Sequence, residues 1–278
     1  MTLAALIPAL LGIAALAGFL GSLTGLGGGV VIIPALVILL GVDLRLAIGA
    51  SLVAVIATSC GAAAAYVREG WTNVRVGVLL EVATTLGAVA GALIAAHVSK
   101  PAIASVFVAV LFWSAWSALR PPPPKPIDDT PDDLATRLRL DSTMPGNDGP
   151  VPYRVHNVPG ALGVMLGAGA LSALVGVGSG VVKVVAMDRM MRLPFKVSTT
   201  TSNFMIGVTA AASTGVYLHR GQVEPTLAAP VALGALAGSV AGARVLTRLK
   251  IPLLRKVFAG VVVLSGLELT RRIATGAL

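Results

Sequence analysis

From Leu3 to Val42 the chain carries no charged residue. That run exceeds the roughly 20 residues an α-helix needs to cross a bilayer, and apolar runs of helical length recur along the chain. They fall at about 3–41, 46–67, 76–97, 102–119, 159–187, 197–218, 226–247 and 253–270. A soluble core cannot absorb so much apolar length, so the chain is expected to be an all-α integral membrane protein lying in the lipid bilayer. Lysine and arginine outnumber acidic residues 21 to 12, but they sit between the apolar runs and form no continuous patch. They read as topology signals, with no nucleic acid implied as partner. The first 42 residues hold no positive side chain, unlike the start of a secretory signal, so the N-terminus is expected to be retained. The single cysteine, Cys60, and the three histidines offer no disulfide or metal spacing, and no cofactor or metal is expected.

Between residues 120 and 157 the character changes to "PPPPKP", "DDTPDD" and a Gly/Pro-rich stretch without apolar period, the pattern of a solvated, mobile linker. The linker separates a first set of four hydrophobic segments (1–119) from a second (158–278). Sliding the second set back by 151 positions places Gly176 on Gly25, Gly178 on Gly27, Gly180 on Gly29 and Ser202 on Ser51. The same shift places Tyr217 on Tyr66, Gly238 and Gly242 on Gly87 and Gly91, Pro252 on Pro101 and Phe258 on Phe107. With only three tyrosines and six phenylalanines in the chain, these matches point to two homologous repeats. Such architecture belongs to secondary transporters, with the substrate site between the halves.

The clusters at Gly25, Gly27, Gly28, Gly29 and at Gly176, Gly178, Ser179, Gly180 are too rich in helix breakers for one continuous helix, since each glycine weakens a helix by around 1 kcal/mol. They fit no dinucleotide or P-loop pattern. Asp188 follows Gly180 by eight residues, about 12 Å of helix, which places the second break at mid-depth. Irregular backbone there is tolerated only against protein or a water-filled cavity. A helix beginning at such a break presents free N–H groups and a positive dipole end, so the two turns are expected to cradle an anion. The pairs Gly87/Gly91 and Gly238/Gly242, by contrast, read as close helix packing.

Lys183, one turn past Gly180, is a candidate substrate contact; its alternatives are snorkelling to the surface or pairing with Asp188. The hydroxyl run at 198–202 nominates Thr201, Ser202 and Asn203, with Ser51, as the polar lining of the pocket. Glu81 reads either as an interface residue paired with Arg75 or as a proton-coupling carboxylate.

These segments, "GLGGGVVIIPAL" with "AIGASL" and "GVGSGVV" with "KVSTTTSN", resemble the duplicated signature of the TauE/SafE family of sulfite and organosulfur-anion exporters. The resemblance covers both halves and implies a multi-pass transporter of the bacterial inner membrane that exports sulfite, an organosulfonate or a similar small anion. Ser179 in place of a glycine, Val185 opposite Pro34 and the long linker depart from it. An anion channel or a membrane sensor using the same cradle is the alternative. No enzyme is expected, because the apolar runs hold neither a nucleophile with its base nor a metal set. The half-helix after each turn is too short to span, so each repeat is expected to hold three crossings and a re-entrant hairpin. An odd number favours inverted over parallel repeats, with the linker in the cytoplasm.

Overall fold

The computed structural model describes residues 3–25, 27–120, 132–146, 149–176, 178–245 and 251–275. The first half contains α1 (Leu3–Thr24), α2 (Gly29–Leu40), α3 (Leu44–Arg68), α4 (Val74–Ala95) and α5 (Lys100–Leu119). A short helix α6 (Asp133–Arg137) and an antiparallel hairpin of β1 (Ser142–Gly146) and β2 (Gly149–Tyr153) follow. The second half contains α7 (Val158–Val175), α8 (Gly180–Val185) with a π-turn at Ala186–Met190, α9 (Phe195–His219), α10 (Pro225–Val245) and α11 (Ile251–Ala274). Among the described residues six helices, α1, α3, α4, α5, α7 and α10, are long and apolar enough to cross a membrane. Apart from that hairpin the regular structure of the described residues is helical, and the protein is an α-helical multi-pass membrane protein.

Glycines set the helix pairing. A Cβ on Gly234, Gly238 or Gly242 of α10 would strike the carbonyl oxygen of Leu11, Ala15 or Phe19 of α1 in turn. On α4, Gly87 and Gly91 meet the carbonyls of Leu166 and Ala170 of α7 in the same way. Matching steps up both helices mean that each pair runs parallel, and the sequence expectation of packing glycines holds. At Gly87, Gly91 and Gly238 the obstructing atoms are all backbone and cannot rotate away. Gly87→Val and Gly238→Val should therefore destabilise at the upper end of the roughly 1–3 kcal/mol typical of overpacking. Size-exclusion profiles of detergent extracts would show this as lost monodisperse protein.

α3 and α9 run antiparallel. The start of α9 lies against the chain leaving α3, with Thr200 Oγ1 donating to Trp71 O at 2.8 Å and Asn73 N donating to Thr201 Oγ1 at 3.0 Å. At the other end, Gly49 of α3 abuts the backbone of Gln222, just past α9.

Residues 132–157 differ from the expected solvated linker. Ala135, Leu140 and Val155 are buried against Val76 and Leu80 of α4, Met187 of the π-turn and Met191 just past it. Asp132 fastens the unit, its carboxylate accepting from the amides of Leu134, Ala135 and Val158. Burial works against its charge, but these amide donors outweigh that and hold its carboxyl below the usual range. His156 N donates to Met191 O at 3.2 Å, so the chain enters α7 and leaves the π-turn at the same end. The α7–α8 segment is a hairpin. The part of the linker at 121–131 lies outside the described residues.

Candidate functional site

The chain reverses twice, at Gly25–Gly28 and at Gly176–Ser179. Gly25, Gly27, Gly176 and Gly178 adopt φ of 71°, 75°, 71° and 77°, a left-handed conformation that glycine enters without penalty. Ser179 shares it at φ 49°, where a side chain is strained. After the first reversal α2 folds back on α1: a Cβ on Gly21 would sit 2.5 Å from Gly28 N, and one on Gly28 3.2 Å from Ala17 O. Neither α2 nor α8 has a side-chain N-cap. Val31 N and Ile32 N bond back to Gly28 O and Lys183 N to Ser179 O, so only the amides ahead of these can serve another acceptor.

The antiparallel pair α3 and α9 brings these reversals together. Ser202 Oγ lies 3.1 Å from Gly25 O and 3.4 Å from Gly180 O, within hydrogen-bond reach of one carbonyl from each reversal. Ser51, its partner by the 151-residue offset, donates to Gly176 O at 2.9 Å. Asn203 Nδ2 donates to Ser22 O at 3.0 Å, just ahead of the first reversal, and the tyrosines behave as a pair: Tyr66 donates to Ser22 O and Tyr217 to Ala173 O. Ser59 of α3 inserts its hydroxyl into α9, donating to Asn203 O and accepting from Gly207 N at 3.0 Å. That hydroxyl stands in the way of a regular 207→203 helical bond beside the reversals, a recognised cause of helix bending.

The hydroxyl run is divided by the helix. Ser202 and Asn203 face the reversals, and Thr199 packs against Gly25, where a Cβ would lie 2.6 Å from Thr199 Cγ2. Thr201 points elsewhere, accepting from Asn73 N and touching the Gly77 position of α4, so it is not brought to the reversals as the sequence reading had it. Four hydroxyls in this region, on Ser172, Ser179, Ser198 and Thr199, are buried with no hydrogen-bond partner. Ser172 and Ser179 face a cavity of about 10 Å³ beside Gly180, room for one water at most.

Lys183 neither snorkels nor pairs with Asp188. It is fully buried, its Nζ 3.6 Å from Glu81 Oε2 and donating to Thr209 Oγ1. Thr209 in turn donates to Glu81 Oε1 at 2.6 Å, while Thr84 and Thr85 donate to the same carboxylate at 3.1 and 3.2 Å. Arg75, the partner expected for Glu81, donates instead to Arg139 O in the chain after α6. Six residues along a helix turn a side chain by about 240°, so the two never shared a face. Sequence reasoning missed the Lys183–Glu81 pair, although a signal was present. Each is an isolated charge in an apolar run, opposite in sign, with an apolar counterpart in the other half (Ile32 and Ala232). Nothing marked Thr209 or Ser59, since hydroxyls in helices ordinarily bond their own backbone.

Chemically, the arrangement offers uncapped helix starts and buried hydroxyls around a seam between the halves, with one ammonium held by Glu81 and Thr209 about two helical turns along α9 from Ser202. The profile of the family described as Sulfite exporter TauE/SafE matches residues 10–269. The Probable membrane transporter protein YunE of Bacillus subtilis (strain 168) is 25% identical over 263 residues, 91% of this chain and 93% of that protein. No solved structure matches the chain.

Proposed function

The chain belongs to the sulfite exporter TauE/SafE family and is a membrane transporter, and from that membership we propose a secondary transporter of the bacterial inner membrane. It exports a small sulfur-containing anion, such as sulfite or an organosulfonate, by alternating access around the two reversals. The observation that carries this reading is the meeting of both reversals on Ser202. There, uncapped helix starts and buried unpartnered hydroxyls supply donors at membrane depth, the chemistry an oxyanion seeks. The binding set is Gly25, Gly27, Gly28 and Gly29 with Ser51, and Gly176, Gly178, Ser179 and Gly180 with Lys183, Ser202 and Asn203. Thr201 lies outside this set and ties α9 to the chain leaving α3 through Asn73.

The halves are inverted repeats. Support comes from the opposite directions of α3 and α9, which hold corresponding places relative to their reversals, and from contacts that recur at the 151-residue offset. The His156–Met191 bond puts the linker on the side of Arg189, Arg192 and Lys196, a loop whose positive charge marks it as cytoplasmic. A membrane-impermeant maleimide should therefore leave Thr143→Cys, in a Cys60→Ala background, unlabelled in intact spheroplasts. Strong labelling there would refute the inverted arrangement.

Transport itself is tested by counterflow. Proteoliposomes preloaded with unlabelled sulfite, thiosulfate or methanesulfonate should concentrate the labelled anion transiently. A channel would show equilibration without that overshoot, and flux of none of these anions would refute the substrate class.

A further inference from the structure

Lys183 and Glu81 come from different halves of the chain, on α8 and α4, and both are buried among apolar helices. Their charges cancel, which is what makes them tolerable at this depth; either one alone would carry a desolvation penalty of several kcal/mol. Lys183 stands in the first turn of α8, directly after the reversal whose Gly180 carbonyl faces Ser202. An anion bound at that reversal adds a negative charge to a site that was neutral.

We infer that the Lys183–Glu81 pair is a proton-coupling site, an assignment that rests on the transport reading above. The bound anion takes over the Lys183 ammonium, and Glu81, losing its counter-charge, takes up one proton from water on the loading side. An O–H bond forms on the carboxylate, Lys183 and the anion balance each other, and the loaded site is again neutral. On the opposite side the anion leaves, the O–H bond breaks, the proton follows into water, and Lys183 returns to Glu81. One proton thus travels with each anion.

The surroundings of Glu81 suit this cycle. α8 presents Lys183, α9 presents Thr209, and α4 itself presents Thr84 and Thr85, while α7 approaches with Gly169 at the Thr84 carbonyl. Lys183 is the ionisable group among them. A hydroxyl both donates and accepts, so the three threonines can turn from donating to a carboxylate to accepting from a carboxylic acid without any helix moving. Thr209 touches both charges and forms a ready path between them.

The test uses full-length protein in liposomes containing a pH-sensitive dye, with radiolabelled methanesulfonate, which carries one charge at every pH used. Wild type should move about one proton per anion, in the same direction. Its apparent affinity should rise up to about tenfold for each unit that pH falls, as linkage to one proton requires. Glu81→Gln should move the anion without protons and without pH dependence, and Glu81→Asp should restore both. If Glu81→Gln fails to fold, the wild-type proton count and its pH dependence carry the test by themselves. Wild-type anion flux without proton movement, or an unchanged proton ratio in Glu81→Gln, overturns the coupling site and leaves the transporter standing. If thiosulfate is carried and methanesulfonate is not, the same one-proton count must hold with thiosulfate, because the site has one carboxylate. Absence of all anion flux overturns the transport reading and the coupling with it.

Discussion

Lys183→Met is expected to cost about 3–5 kcal/mol of stability, because it leaves Glu81 as an uncompensated charge in the interior. Methionine keeps the apolar stem, so lost packing contributes little. Adding Glu81→Gln should return most of the loss, since the buried negative charge is then gone and Thr84, Thr85 and Thr209 can still hydrogen-bond the amide. Denaturation midpoints in a constant detergent mixture would separate the variants. A double variant as unstable as the single one would mean that Lys183 is held for packing and not for charge. The contrast is the exposed Lys100–Asp43 pair, with side chains 41% and 38% accessible, where Lys100→Met should cost no more than about 1 kcal/mol.

Gly178→Val should abolish transport and reduce folded yield. At φ 77° a β-branched residue is strained by about 1–2 kcal/mol before any contact is considered. Its Cβ would then lie 2.7 Å from Ile206 Cγ2 and 3.1 Å from Val55 Cγ1, two fully buried side chains on α9 and α3. The space it takes belongs to the crossing of α3, α9 and the second reversal, where the anion is proposed to bind. Gly178→Ala should show the same backbone strain with a smaller clash, giving intermediate transport. Gly163→Ala, in α7 with no atom within 4 Å of the added Cβ, should instead gain about 0.5–1 kcal/mol of helix stability and transport normally. Counterflow rates normalised to folded protein decide the matter; normal transport by Gly178→Val would show that the reversal is only a packing element.

Hydropathy and glycine content are local properties, and what depends on them was legible in the chain itself. The spans follow from apolar length, since no other structure satisfies so much backbone in lipid. The two reversals follow from glycines that must adopt positive φ, and the close helix pairs from Gly87, Gly91, Gly238 and Gly242. Partnership between distant residues is not local. Lys183 would have accepted any nearby carboxylate, and only the packing of α4 against α9 and α8 put Glu81 there in preference to Asp188. Thr201 and Ser202 are neighbours in sequence but point about 100° apart on α9, so which of them meets the reversals depends on where the other helices lie. The folded unit at 132–157 was hidden for a related reason. Its buried residues, Ala135, Leu140 and Val155, are single apolar positions without period, and they become a core only because α4 and the π-turn supply the other half of it. The sequence settled the membrane class and the places where the backbone must break; which charges, hydroxyls and surfaces meet at those breaks was decided by the tertiary structure, because each depends on a partner in the other half of the chain or on a helix face that packing alone selects.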